Sequence, residues 1–270
     1  LPATTGFTAI LTNLDAVVEN KGLEAEMKGR VIQNDDFAWN VDVNITVPKN
    51  TLLEFPGLEN STYANRFVVG ESLSIAQLYK VAGVNPETGI FTFEDFNGDG
   101  EITSPEDRQY IADLSPKLYG GISNSLTYKN WGLDVHFQFV KKDSYNQYFF
   151  SSQPGTMFNQ TTDVLNQWQQ PGDNTHLQQY STGANYDAYI AFSNFSRSDR
   201  AISDASFVRL KSMELAYLLP LENIPNTTCR IALQGQNLLT FTKFEGGDPE
   251  QTYGYLPSLR RIALNVQLQF

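Results

Sequence analysis

One cysteine, Cys229, occurs in 270 residues, so no internal disulfide can form and no thiolate cluster can hold a metal. Positive charge is scarce: 19 Lys and Arg stand against 30 Asp and Glu, a net charge of −11. That balance argues against nucleic acid as a partner, because binding it requires basic patches that displace counterions. It argues equally against a peripheral anchor on anionic lipid. No run approaches ~18 unbroken apolar residues, so a transmembrane helix is excluded. The two histidines, His136 and His176, are far apart, and no G-x-S-x-G, HExxH, P-loop or dinucleotide fingerprint occurs. The chain is therefore not read as an enzyme. Leu1 to Thr5 show neither a charged n-region nor an apolar h-region, so no signal peptide is read there, although an envelope protein is expected to carry one upstream.

What the chain does have is alternation. Between Ser258 and the final residue, Arg260, Ile262, Leu264, Val266, Leu268 and Phe270 fall on one face, and Arg261, Ala263, Asn265, Gln267 and Gln269 on the other. A period of two marks a β-strand with unlike surroundings on its two sides. A half-buried edge strand of a soluble sandwich has this pattern. So does the last strand of an outer-membrane barrel, which ends on an aromatic girdle residue. The same alternation runs from Phe37 to Val47 and from Leu133 to Phe139, and less cleanly from Ser212 to Leu219. Each run is about ten residues, the length of a tilted bilayer crossing.

Seven long strands are predicted, at about 11–32, 37–48, 117–129, 131–141, 205–219, 228–241 and 257–270. Their connections alternate between short ones, such as Gln33 to Asp36, Lys129 to Trp131 and Pro220 to Thr227, and long ones at 49–116, 142–204 and 242–256. Short periplasmic turns alternating with long extracellular loops are the pattern of an outer-membrane barrel. The expected fold is all-β, an antiparallel up-and-down transmembrane β-barrel segment with long extracellular loops and Phe270 at the periplasmic rim. Trp39, Val41, Val43, Val135, Phe137, Leu264 and Val266 are expected to face outward. Asn40, Asp42, Asp134, His136, Asn265 and Gln267 are expected to face the lumen. Because bacterial single-chain barrels have even strand counts, about seven strands read as the C-terminal segment of a larger barrel.

Two loops carry candidate chemistry. Asp95-x-Asn97-x-Asp99-Gly100-x-Ile102 matches the start of an EF-hand-type calcium loop, with oxygens at the first, third and fifth positions and a glycine at the sharp turn. Glu101 would add its carbonyl, and Glu106 or Asp107 the closing carboxylate. The alternative is a polar turn whose side chains cap backbone amides. The 142–204 connection is rich in aromatics among amides and hydroxyls; Trp168, Tyr180, Tyr186 and Tyr189 are its candidates for touching a sugar ring or a protein partner. Many of its aromatics are equally expected to pack inside the folded loop. Thr162 to Trp168 reads as a short helix.

Further segments complete a recognisable order. Asn20-Lys21-Gly22-Leu23-Glu24 and the Asp95 to Thr103 loop are followed by Ser115-Pro116-Lys117-Leu118-Tyr119-Gly120-Gly121 and by Asp204-Ala205-Ser206-Phe207-Val208-Arg209-Leu210-Lys211. Gly235 to Phe244 and Gly246-Gly247-Asp248-Pro249-Glu250 close the set. In this order they resemble the C-terminal part of SusC/RagA-type TonB-dependent outer-membrane transporters of Bacteroidetes, nearly end to end. The resemblance implies active import of glycan oligosaccharides or peptides through a plugged 22-stranded barrel. It implies a SusD-like surface lipoprotein as cap, and the TonB complex as energy source acting through an N-terminal part and plug not seen here. It makes Phe270 and its strand a C-terminal signal for the barrel-assembly machinery, in the outer membrane of a Gram-negative cell. Two further readings stand beside it: a soluble calcium-stabilised carbohydrate-binding β-domain and a secreted glycan-degrading enzyme. The outward face separates them, since a soluble sandwich buries it against a second sheet.

Overall fold

The computed structural model describes residues 6, 13–221, 227–251 and 255–270. The opening Leu1 to Thr5, the start of the strand expected from residue 11, the middle of the Pro220 to Thr227 turn and residues 252–254 lie outside the described residues. The strands in chain order are β1 (Val17–Gln33), β2 (Phe37–Glu54), β3 (Ile75–Leu78), β4 (Val81–Val84), β5 (Phe91–Phe93), β6 (Tyr110–Asp113) and β7 (Leu118–Tyr128). They continue with β8 (Trp131–Lys141), β9 (Asp143–Tyr145), β10 (Ile202–Asp204), β11 (Phe207–Pro220), β12 (Thr228–Thr242) and β13 (Arg261–Gln269). Among the described residues the α-helices are α1 (Gln147–Phe150) and α2 (Tyr186–Phe195).

The seven long strands form one antiparallel meander in the order β1-β2-β7-β8-β11-β12-β13. Its register keeps like with like. Val43 pairs with Ile122, Ile122 with Phe137, Leu126 with Leu133, Leu133 with Leu215, Leu215 with Leu233 and Leu233 with Leu264. The opposite face is polar: Asp42 pairs with Ser123, Ser123 with His136, Asp134 with Glu214 and Glu214 with Gln234. Among the described residues no second sheet covers the apolar face, where Leu23, Ile262 and Leu264 are each about 70% exposed. Aromatics gather on that face at its short-turn end, where Tyr128 pairs with Trp131 and Trp131 lies 4.7 Å from the Tyr217 ring. The Trp39 indole N–H donates to Asn124 Oδ1 at 3.2 Å, satisfying a polar side chain on the apolar side.

The turns lock to one another. Asn34 Oδ1 accepts from the amides of Asp36 and Phe37, and the Asp36 carbonyl accepts from Lys129 N. Lys129 takes φ 51°, as a two-residue hairpin turn requires, and Asn130 O then accepts from Leu218 N. β2 runs beyond its expected end at 48 to Glu54. Pro48, the last residue of the expected strand, lies within it, opposite Gly22. A Cβ on Gly22 would lie 2.8 Å from the Val47 carbonyl oxygen, so glycine leaves the room this pairing needs. β1 and β13 begin later than expected, at Val17 and Arg261.

The blurred alternation of β11 has a cause. Leu210 pairs with Phe137 on the apolar face and Ser212 with His136 on the polar face, leaving Lys211 as an extra residue. Opposite it on β12, Asn237 adopts φ 51° between Gln236 and Leu239. This bulge switches the parity of β11, so Val208 and Leu210 join Met213 and Leu215 on one side.

The hydrophobic core lies outside the sheet, in the long connections. Phe91, Leu177, Ala191, Phe192 and Phe195 form it, with Val81, Val84, Ile90, Phe93 and Tyr148 packed around. Phe91 and Phe195 stack with centroids 4.0 Å apart. The 55–117 and 142–206 connections therefore fold as one layer. Hairpins β3/β6 and β4/β5 belong to the first, and β9/β10 closes the second just beyond β8 and β11. Tyr79 N donates to Arg197 O and Asp199 N to Tyr79 O, stitching the two together.

Gly120 and Gly121 show how tightly the sheet is packed. A Cβ on Gly120 would lie 2.1 Å from the Asn44 carbonyl oxygen and 2.6 Å from Phe139 Cζ, and one on Gly121 would lie 2.8 Å from His136 Cε1. The pair thus accommodates an aromatic ring on one face and an imidazole on the other. Gly120→Val is expected to destabilise the sheet by about 1–3 kcal/mol through overpacking against backbone that cannot swing aside. Gly29→Ala, in open space, serves as the control. The check is the temperature at which the folded, fast-migrating band disappears in unheated gel electrophoresis; equal temperatures for both variants would refute the expectation.

Candidate functional site

Polar residues from β2, β7, β8, β11 and β12 bound a single recess of about 410 Å³ on the polar face. Asp42, Ser123, Asp134, His136, Glu214 and Gln234 line it, side by side because the register brings every second residue to this face. Ser123 Oγ and His136 Nδ1 are 2.9 Å apart. Glu214 accepts from both Arg230 and Gln234. Carboxylates, guanidinium, amides and hydroxyl alternate across this wall, and no nucleophile sits beside a base held by a third group. It suits a wetted passage.

The loop layer adds a buried ionic centre. Arg209 is only 1% exposed, at the start of β11. Its Nη2 donates to Asp248 Oδ1 and Oδ2 at 2.6 and 2.8 Å, its Nη1 to Glu250 Oε2 at 2.5 Å, and its Nε to Thr240 Oγ1 at 3.0 Å. A forked guanidinium can satisfy this set and an ammonium cannot. Two segments singled out in the sequence, Asp204 to Lys211 and Gly246 to Glu250, thus meet through one side chain. Burial pushes the Asp248 carboxyl up, but the Arg209 hydrogen bonds, the Glu250 amide and the guanidinium charge outweigh it, so the group titrates below its ordinary value.

The Asp95 loop is a dense Asx turn. Asp95 accepts from the amides of Gly98 and Gly100, Asn97 Oδ1 from that of Asp99, and Asp99 Oδ1 from that of Glu101. Asp107 is fully buried and accepts from Phe96 N and Thr103 N. The Thr103 amide, against the opposing effect of burial and with help from that of Phe96, holds its carboxyl below the usual range. Glu106 Oε2 accepts from Thr103 Oγ1 at 3.4 Å. Among the described residues no three His, Cys, Asp or Glu side chains converge as metal ligands. Each bonded carboxylate oxygen keeps a second lone pair, but these donors are arranged around backbone amides rather than around a shared centre.

The aromatic candidates divide. The Trp168 indole N–H donates to Pro86 O at 2.9 Å, and its ring lies against Gly89, where a Cβ would meet it at 2.4 Å. Trp168 therefore clasps the two long connections together. Tyr186 and Tyr189 are 71% and 53% exposed on the outer side of α2, and Tyr180 is also exposed. The helix expected from Thr162 is a 3-10 turn over Thr162–Asn166. Sequence reasoning missed Arg209 as the centre of a buried cluster. The signal was there in two segments of unlike charge, but nothing local says that they touch.

An uncovered apolar face, a polar opposite face and long connections gathered at one end define the wall of a bilayer-spanning type of β-barrel. The chain is homologous to TonB-dependent receptors, and its sheet matches the barrel region of SusC/RagA-type transporters. TonB-dependent receptor P3 of Formosa agariphila is 27% identical over 100% of this chain and 30% of its own length. TonB-dependent receptor SusC of Bacteroides thetaiotaomicron is 24% identical, again over 100% of this chain and 28% of its own. Among solved structures, the RagAB peptide transporter matches with TM-score 0.78 at 24% identity, over 100% of this chain and 31% of that one. The RagAB peptide importer in the open-open state gives TM-score 0.76 at 22% identity, with 100% and 30% covered. No protein-family model matches. The chain thus spans about 30% of the length of the relatives it resembles.

Removing Arg209 leaves the Asp248 carboxylate buried without its counter-charge. Arg209→Met is expected to cost about 3–5 kcal/mol of local stability, read as faster protease cleavage between 243 and 251, and Arg209→Lys should recover only part of it. Acid should have a related effect. Asp248 and Asp107 both titrate below 3.8 in the fold, so their stabilisation is complete above about 3.8 and fades as pH falls through the folded values. Cleavage rates unchanged by the substitution or by acid would refute the latch.

Proposed function

We propose that the chain is the C-terminal part of the β-barrel of an outer-membrane TonB-dependent active transporter that imports bulky nutrients, glycan oligosaccharides or peptides, and that it has no enzymatic role. The observation that carries this reading is the apolar face running across seven paired strands with nothing over it among the described residues. A soluble carbohydrate-binding domain would bury that face; here lipid is its natural cover. β1 and β2, at 17 and 18 residues, exceed the roughly 9–11 that a crossing needs, and the excess lifts the first long connection clear of the membrane. Leu52, 1% exposed, bonds through its backbone to Gly70 and Glu71 and fixes that connection to the top of β2. In this reading a SusD-like surface lipoprotein rests on the loop layer, and the TonB complex acts through the remainder of the parent protein. Exposed Tyr180, Tyr186 and Tyr189 are the loop residues offered to partner or cargo. The likeness to the RagAB peptide transporter favours peptide as cargo, and glycan stands beside it from the resemblance to SusC/RagA-type transporters.

Leu233 tests the membrane assignment. It is 50% exposed between Leu215 and Leu264. In water Leu233→Arg would be nearly neutral, whereas near a bilayer midplane it costs about 2–4 kcal/mol. Outer-membrane abundance of the full-length parent is expected to fall, and wild-type levels would refute the reading. Phe270→Asp should lower the same abundance if Phe270 is read by the barrel-assembly machinery; unchanged fractionation would remove that role.

The loop of Asp95, Asn97, Asp99, Glu101, Glu106 and Asp107 carries the accompanying proposal of a calcium ion. The support is the spacing of its oxygens and the relief a divalent ion would bring to carboxylates crowded in an acidic chain. Calorimetric titration of the detergent-purified parent should show calcium uptake that an Asp95→Ala, Asp99→Ala double variant loses. Identical uptake by both proteins would leave the loop as a polar turn.

A further inference from the structure

A groove of about 580 Å³ lies on the apolar face at its long-connection end, across β7, β8, β11 and β12. The register builds it. Val140, Phe207 and Thr242 form one rung across β8, β11 and β12, and Phe139, Val208 and Phe241 form the next. These last three share the apolar face with Leu118, which pairs with Lys141. The Phe139 ring leans away from β11 toward β7, where its Cζ would lie 2.6 Å from a Cβ on Gly120. That lean leaves the space over Val208 open, so Val208 and Phe241 stay 42% and 59% exposed.

Two lysines stand at the upper end of the groove. Lys141 follows Val140 and Lys243 follows Thr242, so they flank β11 one residue beyond the same rung. Two strand spacings separate their backbones, about 10 Å. Both side chains are exposed, and among the described residues neither ammonium makes an ion pair or hydrogen bond. Their neighbours are engaged: Lys117 holds Asp143 at 2.5 Å and Lys211 holds Glu250 at 3.4 Å. Thirty carboxylates are available in the chain, and these two lysines take none. The carboxylate that lines the groove, Asp204, accepts from Ser206 N through Oδ1 at 2.8 Å and feels the charges of both Lys141 and Lys117. Two ammonium groups thus face one carboxylate, and the local balance is positive in a chain that is acidic overall.

We propose that this groove seats a phosphorylated lipid of the outer leaflet. The proposal rests on the membrane reading and adds a bound lipid to it, distinct from any cargo. An acyl chain lies along Phe139, Val208 and Phe241, a surface continuous with the rest of the lipid-facing wall. The headgroup phosphate comes level with the end of the sheet, where Lys141 and Lys243 donate to its oxygens from either side of β11. Charge-assisted bonds of this kind are roughly twice as strong as neutral ones. The acidity of the whole chain opposes a peripheral anchor on anionic lipid, but a strand already in the bilayer needs only the charge within a Debye length, about 8 Å. A soluble anion would gain the two lysines and leave the apolar half of the groove empty.

The test uses the full-length parent purified in a non-ionic detergent, with outer-membrane location established separately by fractionation, so that failure of the membrane reading is seen on its own. Native mass spectrometry measures retention of phosphorylated lipid A, of the same lipid with its phosphates removed, and of phosphatidylethanolamine. Wild type is expected to hold the phosphorylated lipid at least about tenfold more tightly than either of the others, the difference that one charge-assisted hydrogen bond makes. A Lys141→Gln, Lys243→Gln double variant should lose that preference. Val208→Trp, which fills the groove and leaves both lysines, should weaken retention of the phosphorylated lipid about tenfold as well. Lys28→Gln, on the polar face opposite Asp42, should behave as wild type, and melting temperatures confirm that every variant is folded. Equal retention of the three lipids by wild type, a preference that survives loss of both lysines, or retention untouched by Val208→Trp would each overturn the proposal.

Discussion

A backbone amide in hydrocarbon has no water to bond, so every N–H and C=O crossing a bilayer must find its partner in the protein. The structure follows from that requirement. It fixes the meander, in which each long strand is laddered to the next from Val17 to Gln269. It also fixes the register, because a one-residue slip would move the whole Val43–Ile122–Phe137 row to the wetted side. Lateral packing then adapts to the ladder. Glycine appears opposite a proline at Gly22 and between an aromatic ring and an imidazole at Gly120 and Gly121, where backbone spacing leaves no volume for more.

With one sheet face apolar and uncovered and the other polar, the sheet encloses no dry interior among the described residues. The dry core is built instead by the connections, around Phe91, Phe192 and Phe195. Two segments more than fifty residues long share that core, and Trp168, Gln178 and Tyr79 reach from one to the other. Neither connection can move far without carrying the other. The third is held apart from this core, by Arg209 on the sheet rim.

Much of this was readable in advance, and what was not shares a cause. All seven long strands were legible because the alternation of Leu264 with Asn265, or Phe137 with Gln138, is written in adjacent residues. The parity change at Lys211 showed only as a blurred pattern, since a bulge is defined by the partner strand. The extension of β2 past 48 to Glu54 was hidden for the same reason: Gly22, which accommodates Pro48, lies on another strand. Trp168 read as a candidate for ligand, and no local signal pointed to Pro86 and Gly89 as its partners. Arg209 with Asp248, and Lys141 with Lys243, are assembled from distant parts of the chain. Periodicity reveals faces; it does not reveal which loops meet above them.

The bulge at Lys211 has a bearing on how such a chain can change length. Deletion of Lys211 would straighten the ladder and leave every side chain where it is, with Leu210 still opposite Phe137 and Ser212 opposite His136. Loss of the bulge with Lys211 kept is another matter: drawn into the ladder, it would exchange the two sides of everything before it in β11, turning Arg209 from its carboxylates to the apolar side and Val208 and Leu210 inward. The rim can therefore shorten by this one residue, but it cannot absorb it.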